Sequence, residues 1–487
     1  MPLTEEKKYP LLCAAVALIG AVLIVYSQTL SLTWDEGFHL LAAQLINAGK
    51  RPYLDFLFAQ TPLNAYWNAF AMRIFGQSWQ LAHALAAIET TAAVMLAADY
   101  VFRRLPAPEW RFRAALATAF LTGLNIVVVE YGTLAQAYGI ALLLTVAAFR
   151  FAINVPDRRS LLPAILAGAA AGAAAGSTLL TVTVAPVLLV WILWRNQAGN
   201  RWIKAAAFSA GAIVPLLPIL WLFIQSPHNV FFDVVDFHLY YRQVQWEGWQ
   251  IHDLDVLTAW LDCSHAIILG TLAAAGIFFV RHSFVGHSEW TDKIRAEFYL
   301  CAWLALATGA YLMTAHPTFP RYFVLIAPFA GILAAAGLSG LVQRTGIPSQ
   351  ADWPVTLIAV LMAIGLVRWI HQDADDSWSQ IEPVARKVDQ VTPKGAPLFA
   401  DEHVYFLTKR MPPEGMNWNG GHKVDLPMAK AAPLHILPRA ELVRLVKAGT
   451  FATVETCGEG EPATLGLAEI YKQKAELNDC FVFWDKK

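Results

Sequence analysis

Residues 11–30 run for twenty positions without a charged side chain. The hydrocarbon core of a bilayer is about 30 Å thick, and ~20 apolar residues in helix cross it. Further runs of this kind lie at 79–102, 114–129, 134–153, 203–224, 258–280, 296–315, 322–342 and 354–370. The stretch 161–194 is also apolar, but as one helix it would be roughly 51 Å long at 1.5 Å per residue, too long for one crossing. Gly176, Ser177 and Thr178 fall at its middle and predict two helices joined by a tight turn. The sum is about 11 transmembrane helices. Residues 63–75 are too short to span and read as a segment along the interface, with Tyr66 and Trp67 suited to headgroup depth.

Composition agrees. Of the 487 residues 57% are hydrophobic and only 15% are charged, against about 25% charged in soluble domains. Such a chain cannot be a water-soluble enzyme, whose surface would be one apolar patch, nor a disordered one. A net charge of −1 gives no field that recruits nucleic acid. The charges are unevenly placed. Residues 372–487 hold 17 acidic and 14 basic side chains among 116, the density of a soluble domain, while the first 371 residues hold the other 42 charges. The expected architecture is a polytopic α-helical membrane domain over 1–371, with outer loops at 31–78 and 226–257, followed by a soluble α/β domain over 372–487. In that tail 398–406, 451–456 and 481–484 read as strands. Residues 439–447 read as a helix, with Leu442, Leu445 and Val446 on one face.

With the N-terminus inside, the inner segments carry 16 basic residues, and the outer loops before the tail carry 5 (Lys50, Arg51, Arg73, Arg242 and Arg321). That bias fixes the orientation, and an odd number of spans puts the tail outside. No small-residue cleavage site follows 11–30, so this run reads as a retained anchor. The two long outer loops direct the search for chemistry to the outer face, since long loops in compact proteins are usually functional.

Three outer features stand out. Thr33-Trp34-Asp35-Glu36-Gly37-Phe38-His39 begins just after the first run. Adjacent carboxylates at a membrane surface cost desolvation and need a cation, a hydrogen-bond network or a task. Asp35 also suits a helix N-cap. Glu130 closes the third run, where a carboxylate can also mark the interface. Arg321 opens the tenth run from the outside, against the positive-inside bias. A guanidinium there suits a lipid-linked phosphate, held bidentately, or a snorkelling anchor. His39, His228, His238, His252, His265 and His316 fall near the same side without the close helical spacing of a zinc site. Glu89 reads as a structural partner inside the bundle, and the glycine/alanine run 167–176 as close helix packing. No nucleotide-binding glycine pattern occurs.

An acidic pair after the first span, a second outer acid after the third and an outer Arg321-Tyr322 resemble the GT-C superfamily of glycosyltransferases. Within it they are similar to the bacterial family of protein O-mannosyltransferases, aminoarabinose transferases of lipid A and galacturonosyl transferases of lipopolysaccharide. Asp35-Glu36-Gly37 through Gln60-Thr61-Pro62-Leu63 resembles the family's first external loop, and Glu130 through Tyr138 its second acidic motif. Gln136 and Ser177 stand where many members carry an arginine and a lysine, so no basic role is carried to them.

The resemblance implies a bacterial inner-membrane enzyme that moves a sugar from a polyprenyl-phosphate donor to an extracytoplasmic acceptor, which would be lipid A, a polysaccharide, another glycan or a protein. The N-terminus would be cytoplasmic and the tail periplasmic. Asp35 is implied as the base, Glu36 or Glu130 as its helper, Arg321 and Tyr322 as phosphate-binding. His39, Gln60, Tyr138 and His316 are implied as substrate-binding. A divalent cation on Asp35 and Glu130 stays open, as does a disulfide between Cys457 and Cys480. Two rival readings stand beside it: a transporter or flippase of lipid-linked sugars, which would more often show internal repeats and charges at mid-membrane, and a noncatalytic membrane assembly protein that keeps the fold.

Overall fold

The computed structural model describes residues 5–487 apart from 31, 33, 157–158, 197–199, 243–245, 247, 283–289, 349, 373–380 and 459. Thr33, Arg158 and the residues just after the expected 371/372 boundary therefore lie outside the described ones. The chain divides into two compact units. The first comprises 1–28, 83–217 and 248–373, and the second 29–82, 218–247 and 374–487.

The first unit is helical. Among the described residues of the whole chain, six helices are long and apolar enough to cross a membrane: Lys8–Ser27, Trp79–Arg104, Arg201–Gln225, Ser264–His282, Pro320–Arg344 and Trp353–His371. Three shorter apolar helices are Tyr138–Ala152, Leu162–Ser177 and Leu179–Arg195. The long run 161–194 is broken as its length requires. Leu162–Ser177 stops at Thr178, whose extended backbone turns the chain into a short 3-10 segment before Val184–Arg195.

Three expected boundaries differ. The run 114–129 is not one helix: Arg111–Gly123 ends, and Asn125 caps a separate short helix, Ile126–Tyr131, by accepting a hydrogen bond from the Val127 N–H. A capping asparagine offers the backbone an alternative to continuing the helix, and apolarity alone does not reveal it. The run 134–153 becomes helical only at Tyr138. Residue 258 belongs to a separate helix, Trp249–Asp262, and the apolar helix begins at Ser264 after a break at Cys263.

The glycine/alanine run packs as expected. A Cβ on Gly168 would come 1.9 Å from the Phe208 carbonyl oxygen, and one on Gly211 2.2 Å from that of Ile165. Helices Leu162–Ser177 and Arg201–Ile213 therefore meet backbone to backbone. Small residues make such approach feasible where lipid removes the hydrophobic drive between helices.

The second unit gathers residues 29–82 and 218–247 with the tail. Its sheet has strands β1 (Leu398–Phe399), β2 (Thr453–Cys457), β3 (Tyr471–Leu477) and β4 (Cys480–Lys486), in the order β1-β2-β4-β3. β1 and β2 are parallel and the other pairings antiparallel. Asn478 and Asp479, both at positive φ, form the two-residue turn between β3 and β4, the backbone that a tight hairpin needs. The strand expected over 398–406 is only two residues long. The chain leaves β1 at Asp401, whose carbonyl accepts from the Val404 and Tyr405 N–H groups, and becomes the helix Glu402–Thr408. A short apolar run does not by itself distinguish strand from helix. The expected helix over 439–447 is present as Arg439–Lys447.

Cys457 and Cys480 face each other across β2 and β4 and are joined by a disulfide. The bridge closes a loop of 23 residues in sequence separation, which is worth about 3 kcal/mol. Replacing both cysteines with serine is expected to speed amide exchange in β2 and β4 by about 10²-fold, read by hydrogen-exchange mass spectrometry.

Polar contacts stitch the second unit together. The Gln44 amide donates to the Arg410 carbonyl at 2.8 Å, and Gln77 to the Phe406 carbonyl at 2.9 Å. Asn417 donates to Leu57 at 2.8 Å, and Asn229 to both Tyr53 and Pro433 at 2.9 Å. The tail is thus built onto residues 29–82 and 218–247 rather than tethered beside them.

Candidate active site

In the second unit the acidic pair opens the helix Trp34–Asn47, with Asp35 and Glu36 in its first turn. Their charges favour the positive end of the helix dipole. Asp35 is half-buried and Glu36 fully buried. One turn on, His39 is 5% exposed, with its Nδ1 3.4 Å from the Asn64 amide nitrogen and its ring edge-on to Phe38 and Phe58. Burial pushes its pKa down to about 4, so the imidazole is neutral at pH 7 despite the nearby Asp35 and Glu36 charges. Gln60 is half-buried, and its carbonyl accepts from the Tyr53 hydroxyl at 2.7 Å.

The tail supplies residues that sequence reasoning missed. Gly37 packs against His403: a Cβ there would lie 2.9 Å from three atoms of the imidazole ring. Glu402, beside His403, is 2% exposed and feels the charge of Asp35. Its Oε1 accepts from the Asn419 backbone N–H at 2.6 Å. Asp401 accepts from the Asn419 amide, and its own N–H donates to Glu455 Oε2 at 2.9 Å. Three buried carboxyl groups in mutual reach cannot all ionise cheaply. Burial pushes Asp401 up, and it pushes Glu402 and Glu455 up to about 7. The adjacent acids Asp401-Glu402 were the available sequence signal, parallel to Asp35-Glu36.

Groups that hold protons more tightly when folded stabilise the fold below their unfolded pKa, and that stabilisation is lost as pH rises through about 7. Exchange protection in the helix Glu402–Thr408, corrected for intrinsic rates, is therefore expected to fall by at least about tenfold from pH 6 to pH 8. Glu455→Gln should flatten that dependence.

In the first unit, Glu130 lies in the short helix Ile126–Tyr131. Tyr138 begins the helix Tyr138–Ala152, and Arg321 and Tyr322 lie in the 3-10 helix Pro320–Ile326. The 3-10 helix packs against both of the others, so elements distant in sequence bring Glu130, Tyr138 and the Arg321-Tyr322 pair to one region. Glu130 and Arg321 are half-buried, and Tyr138 and Tyr322 are buried. The Arg321 guanidinium stacks over Phe319 at 4.1 Å from the ring centroid, with Tyr322 at 5.8 Å. Glu89 is buried against Gly139.

The turn that presents Arg321 is clamped by a residue the sequence did not single out. Asp253, on the helix Trp249–Asp262, accepts from His316 Nδ1 at 2.6 Å and from the Thr318 N–H at 2.6 Å. His252 donates to the Thr318 carbonyl at 3.0 Å, and Trp249 packs on His316 at 4.4 Å between centroids. His316 thus spends one ring nitrogen on the clamp.

Among the described residues, one group of three metal-type ligands clusters, namely Glu455, Cys457 and Cys480. The disulfide occupies both sulfurs, which leaves a single carboxylate there.

No protein-family model matches the sequence, and no curated protein matches it. Solved structures do. ArnT from Cupriavidus metallidurans in the apo state superposes with a TM-score of 0.71 over 99% of this chain and 98% of that one, at 16% identity. The chain shares the fold of ArnT. ArnT bound to undecaprenyl phosphate matches at a TM-score of 0.70 and 14% identity, over 98% and 97% of the two chains. The oligosaccharyltransferase AglB from Archaeoglobus fulgidus, in complex with an inhibitory peptide and a dolichol-phosphate, matches at 0.52 and 14%, over 95% of this chain and 71% of that one. The ArnT-like fold and the six helices long and apolar enough to cross a membrane support an integral membrane protein.

Proposed function

We propose that the protein is a membrane glycosyltransferase that moves a sugar from a polyprenyl-phosphate donor to an extracytoplasmic glycan, lipid or protein acceptor. The observation that carries this reading is the likeness, over 98% of the chain, to ArnT bound to undecaprenyl phosphate. Eleven crossings, a cytoplasmic N-terminus and an external tail in a bacterial inner membrane complete the reading, on the strength of the basic-residue bias.

The chemistry follows from the residue types. The acceptor oxygen attacks the anomeric carbon, and its proton passes to Asp35. The bond from that carbon to the phosphate oxygen breaks, and the electron pair leaves on the polyprenyl phosphate. In-line displacement inverts the anomeric centre. Arg321 takes up the charge that grows on the phosphate, with Tyr322 beside it. Glu36 or Glu130 positions the acceptor. His39, a buried neutral imidazole, orders the wall behind the acidic pair. Gln60, Tyr138 and His316 border the substrates.

The test is transfer by the purified protein from a panel of undecaprenyl-phosphate-linked sugars to envelope lipid and glycan extracts. Release of undecaprenyl phosphate with a new glycosidic bond supports the reading. Within it, Asp253→Ala frees the turn that presents Arg321 and is expected to lower kcat/KM for the lipid donor by about 10²-fold, the scale of a 1 Å misplacement. Asp253→Asn keeps an acceptor for the Thr318 N–H and should recover part of that loss.

A further inference from the structure

A cavity of about 350 Å³ in the first unit is lined by Phe102, Arg103, Arg104, Arg111, Arg150 and the pair Ile153-Asn154. Three helices build it. Arg103 and Arg104 end Trp79–Arg104, Arg150 lies in the last turn of Tyr138–Ala152, and Arg111 begins Arg111–Gly123. We propose that it is a phosphate-binding site that takes the headgroup of an anionic phospholipid or a soluble phosphate.

The charge balance favours an anion. Among the described ion pairs these arginines meet two carboxylates. Asp99 is shared by Arg103 Nε at 2.7 Å and an Arg150 terminal nitrogen at 2.6 Å, and Glu297 lies 3.5 Å from Arg104 Nε. Four guanidinium charges against two carboxylates leave an excess of two. The ends of the first two helices each subtract roughly half a charge, and the start of the third returns roughly half, so the cavity stays positive. Asp99 also accepts from the Tyr9 hydroxyl at 2.9 Å, which holds it on the wall. Arg111 spends its Nε on the Leu105 carbonyl at 2.7 Å and meets no carboxylate among the described ion pairs.

Arginine forks match phosphate oxygens. Phe102 and Ile153, at the ends of apolar runs, give the cavity a hydrophobic edge suited to a glycerol backbone and acyl chains. Basic pockets between membrane helices have this chemistry. The cavity is separate from the Arg321 region. Glu297 lies early in the helix Asp292–Leu312 and the His316–Arg321 turn follows its far end, roughly 20 Å away along the axis.

The full-length protein, exchanged into nanodiscs of phosphatidylglycerol or phosphatidylcholine, tests this by native mass spectrometry and thermal shift, with inorganic phosphate titrated into the phosphatidylcholine sample. Phosphatidylglycerol should be retained preferentially and raise the melting temperature. Arg104→Gln and Arg111→Gln should each weaken that retention about fivefold. Arg111→Gln strands no carboxylate, so it keeps the test valid if loss of the Glu297 partner impairs folding in Arg104→Gln. A shift produced by inorganic phosphate and lost in the same variants identifies a soluble phosphate as the ligand and also supports the site. Equal retention of both lipids with no phosphate effect, or wild-type retention in a folded Arg111→Gln, overturns the proposal.

Discussion

Asp35→Asn is expected to lower sugar transfer by about 10³-fold, the middle of the range for losing a general base, with expression and melting temperature close to wild type. Asparagine has the size of aspartate and keeps a hydrogen-bonding oxygen, but it does not accept a proton at neutral pH. Its cost to the fold is small. Asp35 is half-buried in a first helical turn, where one acidic charge contributes about 0.3–1 kcal/mol. Glu36 differs: it is fully buried, and Glu36→Gln is the variant in which stability should suffer. The separation matters because the helix Trp34–Asn47 also carries Phe38 into the core of the second unit, where it stacks on Phe58 at 4.8 Å and meets Trp418 at 4.9 Å. A large activity loss with intact folding therefore reports on the carboxylate, not on the helix. Transfer is measured as release of undecaprenyl phosphate per unit of folded protein.

Arg321→Ala is expected to lower kcat by about 10²- to 10³-fold, the scale of removing one preorganised group from a developing charge. A sugar phosphodiester carries about one negative charge, and the departing polyprenyl phosphate carries more. A cation beside it therefore stabilises the transition state more than the bound donor, so kcat should fall further than KM rises. Arg321→Lys keeps the charge but loses the fork and the flat face that stacks on Phe319 at 4.1 Å. It should recover about tenfold of the loss. A rise in KM with kcat unchanged would make Arg321 a ground-state anchor only.

Local signals carried the helices well and the tertiary partners poorly. The short amphipathic segment is present with the expected bounds, Leu63–Phe75, because length and apolar spacing act within one helix. The break near Thr178 was readable because a 34-residue helix exceeds any bilayer. Asn125 was not, because one capping side chain is silent against an apolar background. Over 398–406, where the apolar run predicts a strand, a two-residue strand hands over to a helix. Residues with an unusual sequence neighbourhood, such as Asp35-Glu36 and Arg321, stand out as candidates from the sequence alone. Glu402, Glu455 and Asp253 act through partners dozens of positions or more away, and no periodicity encodes such pairings. Cys457 and Cys480 show the same limit: only their register across β2 and β4 brings them together.

The most direct measurement separates bond transfer from lipid movement. Proteoliposomes holding the purified protein are given undecaprenyl-phosphate-linked sugars with an acceptor extract, and lipids and products are resolved by mass spectrometry and NMR. The account predicts consumption of the donor, release of undecaprenyl phosphate and a new glycosidic bond of inverted configuration, all absent with Asp35→Asn. Translocation of the intact lipid-linked sugar with no bond broken, or turnover unchanged in both Asp35→Asn and Arg321→Ala, would contradict it.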